Sequence, residues 1–580
     1  MFRFSPNPNK AHLVNWREWD QEAFQEAQQQ DKLVMLYIGA FWCGFCQGMD
    51  ETTLSNDETI TLLNAYFIPI RVENAQRPDI DTRYNQDGWP SIAFLTPQGD
   101  HLATVNYMPP DEFCNVLANL HQTYQDQKAE IQAASQASSQ ASQTAGSQQP
   151  ARLRASSVSE ISNTLMEMAD PTNGGYGPDH KFPHPEAHEF LLYRHETTGD
   201  SAYLDHVKRS LDKMRDSDTY DAEIGGYFRY SSKPDWNEPH REKLLVDHAG
   251  ILLNFLRSFI LTENDEHRQR AEEVIDFLIT TMSDSAGVAF FGCQDYLRAA
   301  PTYGTDSQGQ TTRTPGGIIS IIDDWIYTDA NAQVASALLE ASWILGRPEL
   351  KARALDILDI LWNRLRSAER GMFHYYDGDS DVPGLLNDQT LMATALLDAH
   401  RFTGDQRYAQ QAEELGKLVL SRHTNPDGGF YDISERGPAH LRYPLTLLVD
   451  NGRAASLLLS LTDATGNPEY RRAALWALRA FTDDLSPYGV YASDYGLALA
   501  RYMSSPLTIT LEAQPGDPNS HALARAIRTR LSHFRLTLNI RDSDARAAVY
   551  LENGSERVGP IHEADEITPD LVTALLGSPA

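Results

Sequence analysis

Cysteine is scarce, with four in 580 residues, too few for the disulfide framework of a secreted scaffold. Positive charge is also short: Lys+Arg 49 against Asp+Glu 80 gives a formal charge of −31. The averaged surface field therefore repels polyanions, and neither nucleic acid nor an anionic membrane is an expected partner. No run of about 18 apolar residues occurs, and the opening MFRFSPNPNKAHLVNW lacks the basic-then-apolar order of a secretory signal. The chain reads as soluble and cytoplasmic. Its length is ample for several cores at roughly 150 residues per domain. Two of the few cysteines stand together as Cys43-Gly44-Phe45-Cys46, and they are the sharpest local feature.

The pair follows the apolar run Leu33 to Ile38, which has the length of a buried strand. Tyr66 to Val72 and Ser91 to Leu95 read as further strands, with helical segments such as Glu18 to Gln29 between them. Residues 1–124 are thus an α/β unit. A strand entering Trp42-Cys43 and leaving as a helix puts Cys43 at a helix N-terminus, where unpaired N–H groups stabilise a thiolate. Cys46, one turn on, can close the disulfide and release a mixed-disulfide partner. Pro90, in Gly88-Trp89-Pro90-Ser91 before a strand, is a candidate cis-proline. A half zinc site would need a second Cys or His pair, and Cys114 and Cys293 are isolated, so no metal or cofactor is expected. An inert packed thiol pair is the bland alternative. Cys114 falls on an apolar helical face and reads as core.

Residues 125–155, almost wholly Gln, Ala and Ser with no apolar period, read as a linker. Beyond it a repeat emerges. Asp388 opens a helix closed by Gly404, and Asp450 one closed by Gly466, each with a spacing of 16. Asp329 to Gly346 and Asp247 to Asn264 follow the same grammar; an earlier copy ends at Gly199 without its aspartate, and a last one starts at Asp494. Each stop is followed by a helix with one apolar stripe, such as Leu204, Val207, Leu211 and Met214. Glycine-aromatic loops, such as Gly225-Gly226-Tyr227-Phe228 and Gly428-Gly429-Phe430-Tyr431, then lead into the next apolar helix. Paired outer and inner helices in six copies make residues 156–505 an (α/α)6 toroid with those loops at one end. Residues 506–580 alternate with period two around a helical segment and form a small α+β region.

The repeated aspartates Asp247, Asp329, Asp388, Asp450 and Asp494 lie in the first turns of inner helices. N-capping explains each singly; their common location makes them candidates to ligate or protonate a substrate. One sector adds Arg229, Trp236, His240, Glu242, Lys243 and His248, with His180 and Lys181 ahead of the first inner helix. Imidazoles and carboxylates there are candidate acids and bases, and Trp236, Trp325, Tyr327 and Tyr376 candidate platforms for a sugar ring. The bland readings are a loop-pinning role for His240 and a backbone-satisfied core position for His248. Asp323-Asp324 is a further acidic candidate.

Asn15-Trp16, the block Lys32 to Met49, Arg77-Pro78-Asp79-Ile80-Asp81 and Gly88-Trp89-Pro90 resemble the thioredoxin-like domain of the bacterial and mitochondrial family that includes the spermatogenesis-associated thioredoxin-like protein. The similarity continues in Gly174-Gly175-Tyr176-Gly177, Lys181-Phe182-Pro183 and the stretch Gly225 to Asp247. The resemblance implies a thioredoxin-like domain ahead of a six-hairpin toroid similar to N-acylglucosamine 2-epimerases and six-hairpin glycosidases. Here the cysteine motif lacks the histidines usual in and after that CxxC, which favours redox chemistry over metal binding. The expectation is a thiol-disulfide oxidoreductase acting on a protein thiol or disulfide, its toroid recognising a substrate or partner. The alternatives are a carbohydrate-active enzyme with a saccharide in the toroid, and a non-catalytic binding scaffold.

Overall fold

In a computed structural model of the chain, which describes residues 2–86, 88–144, 153–298, 302–305, 311–314, 317–481, 484–532, 534–553 and 556–576, the apolar run after Lys32 becomes strand β1 (Leu33–Gly39), buried at every position. It is central. Strand β2 (Phe67–Glu73) pairs with it in parallel and β3 (Ser91–Leu95) antiparallel, while β4 (His101–Val105) adds antiparallel to β3. The order is β2-β1-β3-β4. Being covered on both faces, β1 needs a continuous apolar run rather than an alternating one. Helices α1 (Gln21–Gln30), α2 (Gly44–Glu51), α3 (Asp57–Tyr66), α4 (Pro78–Tyr84) and α5 (Pro110–Thr144) complete this α/β fold. Met35, Tyr37, Phe67, Ile92, Phe94, Phe113 and Leu117 form its core. Cys114 is buried on α5, its sulfur 3.3 Å from the Thr59 hydroxyl, a core position as expected.

The Gln/Ala/Ser stretch departs from the linker expectation. Helix α5 runs on to Thr144, interrupted by non-helical angles at Gln127, and α6 starts at Ser156. Alanine and glutamine are good helix formers, so a stretch without an apolar stripe can still be helical. Residues 145–152 of the expected linker lie outside the described residues.

The chain divides into two compact units: Met1–Gln148 with Gln294–Asp323 and Glu435–Leu445, and Gln149–Cys293 with Asp324–Ser434 and Thr446–Ala580. Within the first, the His440 ring stacks on Tyr84 at 4.9 Å, and the His440 backbone N–H donates to the Tyr84 hydroxyl at 3.1 Å.

Among the described residues, twelve of the second unit's helices form six hairpins. The outer members are α6 (Ser156–Met168), α8 (Ser201–Arg215), α10 (Asp265–Thr281), α12 (Pro348–Arg364), α14 (Gln406–Arg422) and α16 (Pro468–Arg479). The inner ones are α7 (Pro185–Thr198), α9 (Leu245–Thr262), α11 (Thr328–Ile344), α13 (Leu386–Thr403), α15 (Leu448–Thr465) and α17 (Ser493–Met503). Inner helices pack on one another in sequence, and α17 returns to α7, closing the ring. Helix α9 is apolar and long enough by composition to cross a bilayer, yet it is mostly buried and packs between α7 and α11. A core helix meets that description equally well.

The turn grammar has a simple cause. Gly199, Gly404 and Gly466 end their helices at φ of 72°, 77° and 69°, the left-handed region glycine enters without cost. Between α9 and α10 Glu263 takes that conformation at φ 58°. The next outer helix is then capped by Asp200, Asn264, Asp405 or Asn467, whose side chains accept from backbone N–H groups of the first turn. Beneath the C-terminal ends of the inner helices lies a four-stranded sheet ordered Arg535–Asp542, Pro506–Ala513, Ala548–Asn553, Glu556–Ile561, with helix α18 (Pro518–Arg530). This is the expected α+β region. The buried Arg535–Asp463 pair, 2.7 Å, fastens it to the toroid.

Candidate functional site

Cys43 ends the turn after β1 and is the residue that precedes the first turn of α2, with φ −91° and ψ 106°. Its sulfur accepts from the Cys46 N–H at 3.1 Å, and the two cysteines form a disulfide. Both are buried, whereas Phe45 between them is 65% exposed. Trp42 meets Trp89 edge to face at 5.0 Å, and the Trp89–Pro90 bond is cis. The Trp89 indole donates to Asp81 at 3.0 Å and the Pro90 carbonyl accepts from Asn106 at 3.2 Å, which anchors this turn. Below the motif, Glu73 accepts from the Phe41 N–H at 3.0 Å. Burial, then the nearby Asp323 charge, push the Glu73 carboxyl up to about 7. Asp323 belongs to this first unit and is ion-paired with Arg3, so it is not a toroid acid.

In the toroid the aspartates are not caps. The residues preceding α9, α11, α13 and α15 are Leu244, Tyr327, Leu385 and Leu447, none with a side-chain cap bond. The acids sit two or three residues further in, at the loop end of the ring. Every inner helix carries one: Glu186, Asp247, Asp329, Asp388, Asp450 and Asp494. Glu186 escapes the sequence repeat because α7 carries a glutamate, directly after Pro185, where the other inner helices carry an aspartate.

Enclosure of like charges sets the electrostatics. Burial pushes Asp247 up to about 7, with Glu186 and Glu242 adding to it and Arg229 and His184 opposing. Asp388 rises to about 6 by burial, against the opposing charge and hydrogen bond of His374. Asp450 also rises to about 6 by burial, and Asp494 is raised for the same reason, with Arg453 opposing both. Glu186 goes the other way: burial is the largest single influence and pushes it up, but the His184 hydrogen bond, 3.1 Å, the His184 charge, a backbone N–H and the Arg453 charge together lower it. Arg453, one turn beyond Asp450, bonds Asp494 at 2.9 Å and Asn387 at 2.9 Å. His374 contacts both Asp388 oxygens at 3.0 and 3.1 Å. Sequence reasoning missed His184, His374, Asn387 and Arg453, since none shares the aspartate register.

The richer sector separates into structural and exposed members. Trp236 is fully buried with its indole donating to the Asn173 carbonyl at 2.9 Å, so it is core and no sugar platform. Lys181 is buried and reaches Asp170 at 2.9 Å, and Lys243 is buried on Asp221 at 2.7 Å with Gly225 as a second acceptor. Burial lowers the Lys243 amine to about 8. These lysines pin loops. His248 accepts from Tyr227 N–H at 2.9 Å and donates to the Leu244 carbonyl at 2.7 Å, and burial lowers it to about 4. It is the backbone-satisfied core histidine. Arg229 and Glu242 pair at 2.8 Å. His240 is exposed and stacks on Tyr230 at 4.1 Å, which stacks on Phe182 at 4.7 Å. His180 is exposed nearby, 6.3 Å from the Tyr230 ring. Trp325 stacks on Tyr375 at 5.0 Å and keeps partial exposure.

His248 is one of four equivalent clamps. Asn331, Gln389 and Asn451 occupy corresponding positions and grip the loop backbone at Phe290, Met372 and Phe430, accepting at 2.8, 2.8 and 2.7 Å and donating back. Four different loops are thereby held at the mouth by one device.

Residues 7–143 match the family model Thioredox_DsbH, described as a protein of unknown function, DUF255. An uncharacterised protein of Caenorhabditis elegans is 21% identical over 677 residues, covering 95% of this chain and 90% of that one. Human spermatogenesis-associated protein 20 is 27% identical over 305 residues, covering 49% of this chain and 39% of its own length. The family resemblance drawn from the sequence stands. Among solved structures, a D-mannose isomerase is 13% identical with a TM-score of 0.46, over 60% of this chain and 97% of that one. A cellobiose 2-epimerase from Bacillus thermoamylovorans is 12% identical with a TM-score of 0.46, over 60% and 99%.

Proposed function

We propose that the chain is a thiol-disulfide oxidoreductase whose toroid recognises the substrate or partner. The carrying observation is the placement of Cys43 immediately ahead of α2, bonded to the Cys46 N–H, with the neighbouring Trp42 packed on Trp89 of the cis Trp89–Pro90 bond. The N-terminal N–H groups of α2 favour a thiolate at Cys43. In the reducing direction the Cys43 thiolate attacks a partner disulfide, one partner sulfur leaves as thiolate, and a mixed disulfide forms. Cys46, deprotonated, then attacks Cys43, which releases the second partner thiolate. Two electrons pass to the partner, and the Cys43–Cys46 pair becomes the disulfide. A Cys46→Ser variant stops at the mixed disulfide, and a trapped, thiol-reducible adduct on Cys43 is the expected result. Absence of any adduct with disulfide-containing proteins refutes the reading.

A second reading, acid-base chemistry on a neutral polyhydroxylated substrate in the toroid, is favoured by Asp247. A carboxyl near 7 is part protonated at neutral pH and can give or take a proton. The ring of acids disfavours an anionic substrate. Thermal-shift screening against neutral saccharides tests this, with Asp247→Asn as the variant that should abolish turnover while keeping binding. If neither assay responds and a defined partner is still captured, the chain is a binding scaffold.

A further inference from the structure

We propose that Asp329, His374 and Asp388 form a divalent-metal site at the mouth of the toroid, suited to an ion of the Zn²⁺ class. The inference is independent of both readings above.

The donor set comes from three places. Asp329 is in the first turn of α11, Asp388 in the first turn of α13, and His374 in the strand Gly371–Tyr376 that leads toward α13. One ligand atom from each lies within 4.8 Å of the others. His374 Nδ1 is 3.0 and 3.1 Å from the two Asp388 oxygens. Two donors bound tetrahedrally with bonds of about 2.1 Å stand about 3.4 Å apart, so this edge is within about 0.4 Å of the spacing of a coordination shell. One imidazole and two carboxylates suit a borderline ion such as Zn²⁺ better than a purely oxygen-seeking one.

Charge gives the second argument. Asp388 and His374 are buried and Asp329 half-buried. A protonated His374 offsets only one of the two carboxylates, whereas a divalent ion with neutral His374 offsets both, where burial makes an uncompensated charge costly. Arg453, which is bonded into this network through Asn387, is committed to Asp494 and to the Asn387 side-chain amide oxygen. Asn387 in turn donates to Asp329 at 3.1 Å. That fixes the rotamer of Asp329 from outside the donor set, the supporting contact that metal ligands require. The partial exposure of Asp329 supplies an entry path and leaves coordination positions for water or a substrate hydroxyl.

The test uses the full chain with its disulfide intact, so that Cys43 and Cys46 offer no thiolate, stripped with chelator and titrated with Zn²⁺ in a non-coordinating buffer by calorimetry. One saturable site of micromolar affinity or tighter is expected. His374→Ala and Asp329→Asn should each weaken it by more than about tenfold, and Asn387→Ala by about tenfold. Asp329 is half-buried, so Asp329→Asn decides the matter if His374→Ala fails to fold, with circular dichroism as the check. No saturable binding by the native chain overturns the proposal. So does binding that survives both ligand substitutions, since it would belong to other carboxylates. Neither outcome bears on disulfide exchange or saccharide binding, which are read in separate assays.

Discussion

Replacing Asp247 by Asn should stabilise the second unit, and the gain should depend on pH. The Asp247 carboxyl is enclosed at the ring although the residue keeps some solvent access, and burial lifts its pKa from 3.8 to about 7. A raised carboxylate pKa means that the folded state holds the proton more tightly than the unfolded chain. Its favourable contribution is complete below the unfolded pKa and is lost as pH climbs toward 7. A difference of three units corresponds to a ceiling of about 4 kcal/mol above neutrality, at about 1.4 kcal/mol per unit. For a unit of roughly 400 residues the unfolding entropy is about 0.8 kcal/mol/K, so that penalty amounts to about 5 °C in melting temperature. Asp247→Asn, neutral at every pH, should therefore melt up to about 5 °C above the native chain near pH 8, with little gain near pH 4. Calorimetric scans at both pH values measure it. An equal effect at the two pH values, or a loss near pH 8, refutes the claim that the acid ring is held under electrostatic strain.

Asn451→Ala should cost about 2–4 kcal/mol in denaturant unfolding, because it leaves the buried Phe430 N–H and C=O without their clamp. Trp236→Phe should cost about 1–2 kcal/mol by removing the indole bond to the Asn173 carbonyl, and should leave any saccharide response unchanged. Lys243→Met should destabilise by about 3–5 kcal/mol, since Asp221 then loses the cation it faces at 2.7 Å; an urea midpoint unchanged from the native chain would contradict that.

Hairpin count and helix order were legible in the sequence because glycine stops and apolar stripes recur at fixed spacing, and each has a local cause in backbone conformation. The α/β unit was legible through β1, whose unbroken apolar run requires burial on both faces. The chemistry at the mouth was less so. The aspartates suggested caps, but side-chain capping falls to Asp200, Asn264, Asp405 and Asn467 on the outer helices, and the inner helices start from extended Leu244, Tyr327, Leu385 and Leu447. Glu186 was hidden because its hairpin replaces the aspartate with a Pro-Glu opening. Trp236, Lys181 and Lys243 looked functional because they cluster in sequence with histidines and carboxylates ahead of the inner helices; their burial is fixed by partners distant in sequence, such as Asn173 and Asp221, which no local pattern reveals. Residues 294–323 and 435–445 grouping with the first unit is likewise a tertiary fact, invisible to a contiguous division of the chain.

The central claim is that Cys43 is a thiolate poised for exchange, and the most direct measurement is its titration in the reduced chain, followed by alkylation rate or ultraviolet absorbance, with Cys46→Ser to isolate it. The account predicts a Cys43 pKa well below the ordinary value of about 8.5 and a Cys43–Cys46 disulfide that reforms reversibly in a glutathione redox buffer. A thiol that titrates at or above about 8.5, with no reversible disulfide, would contradict it.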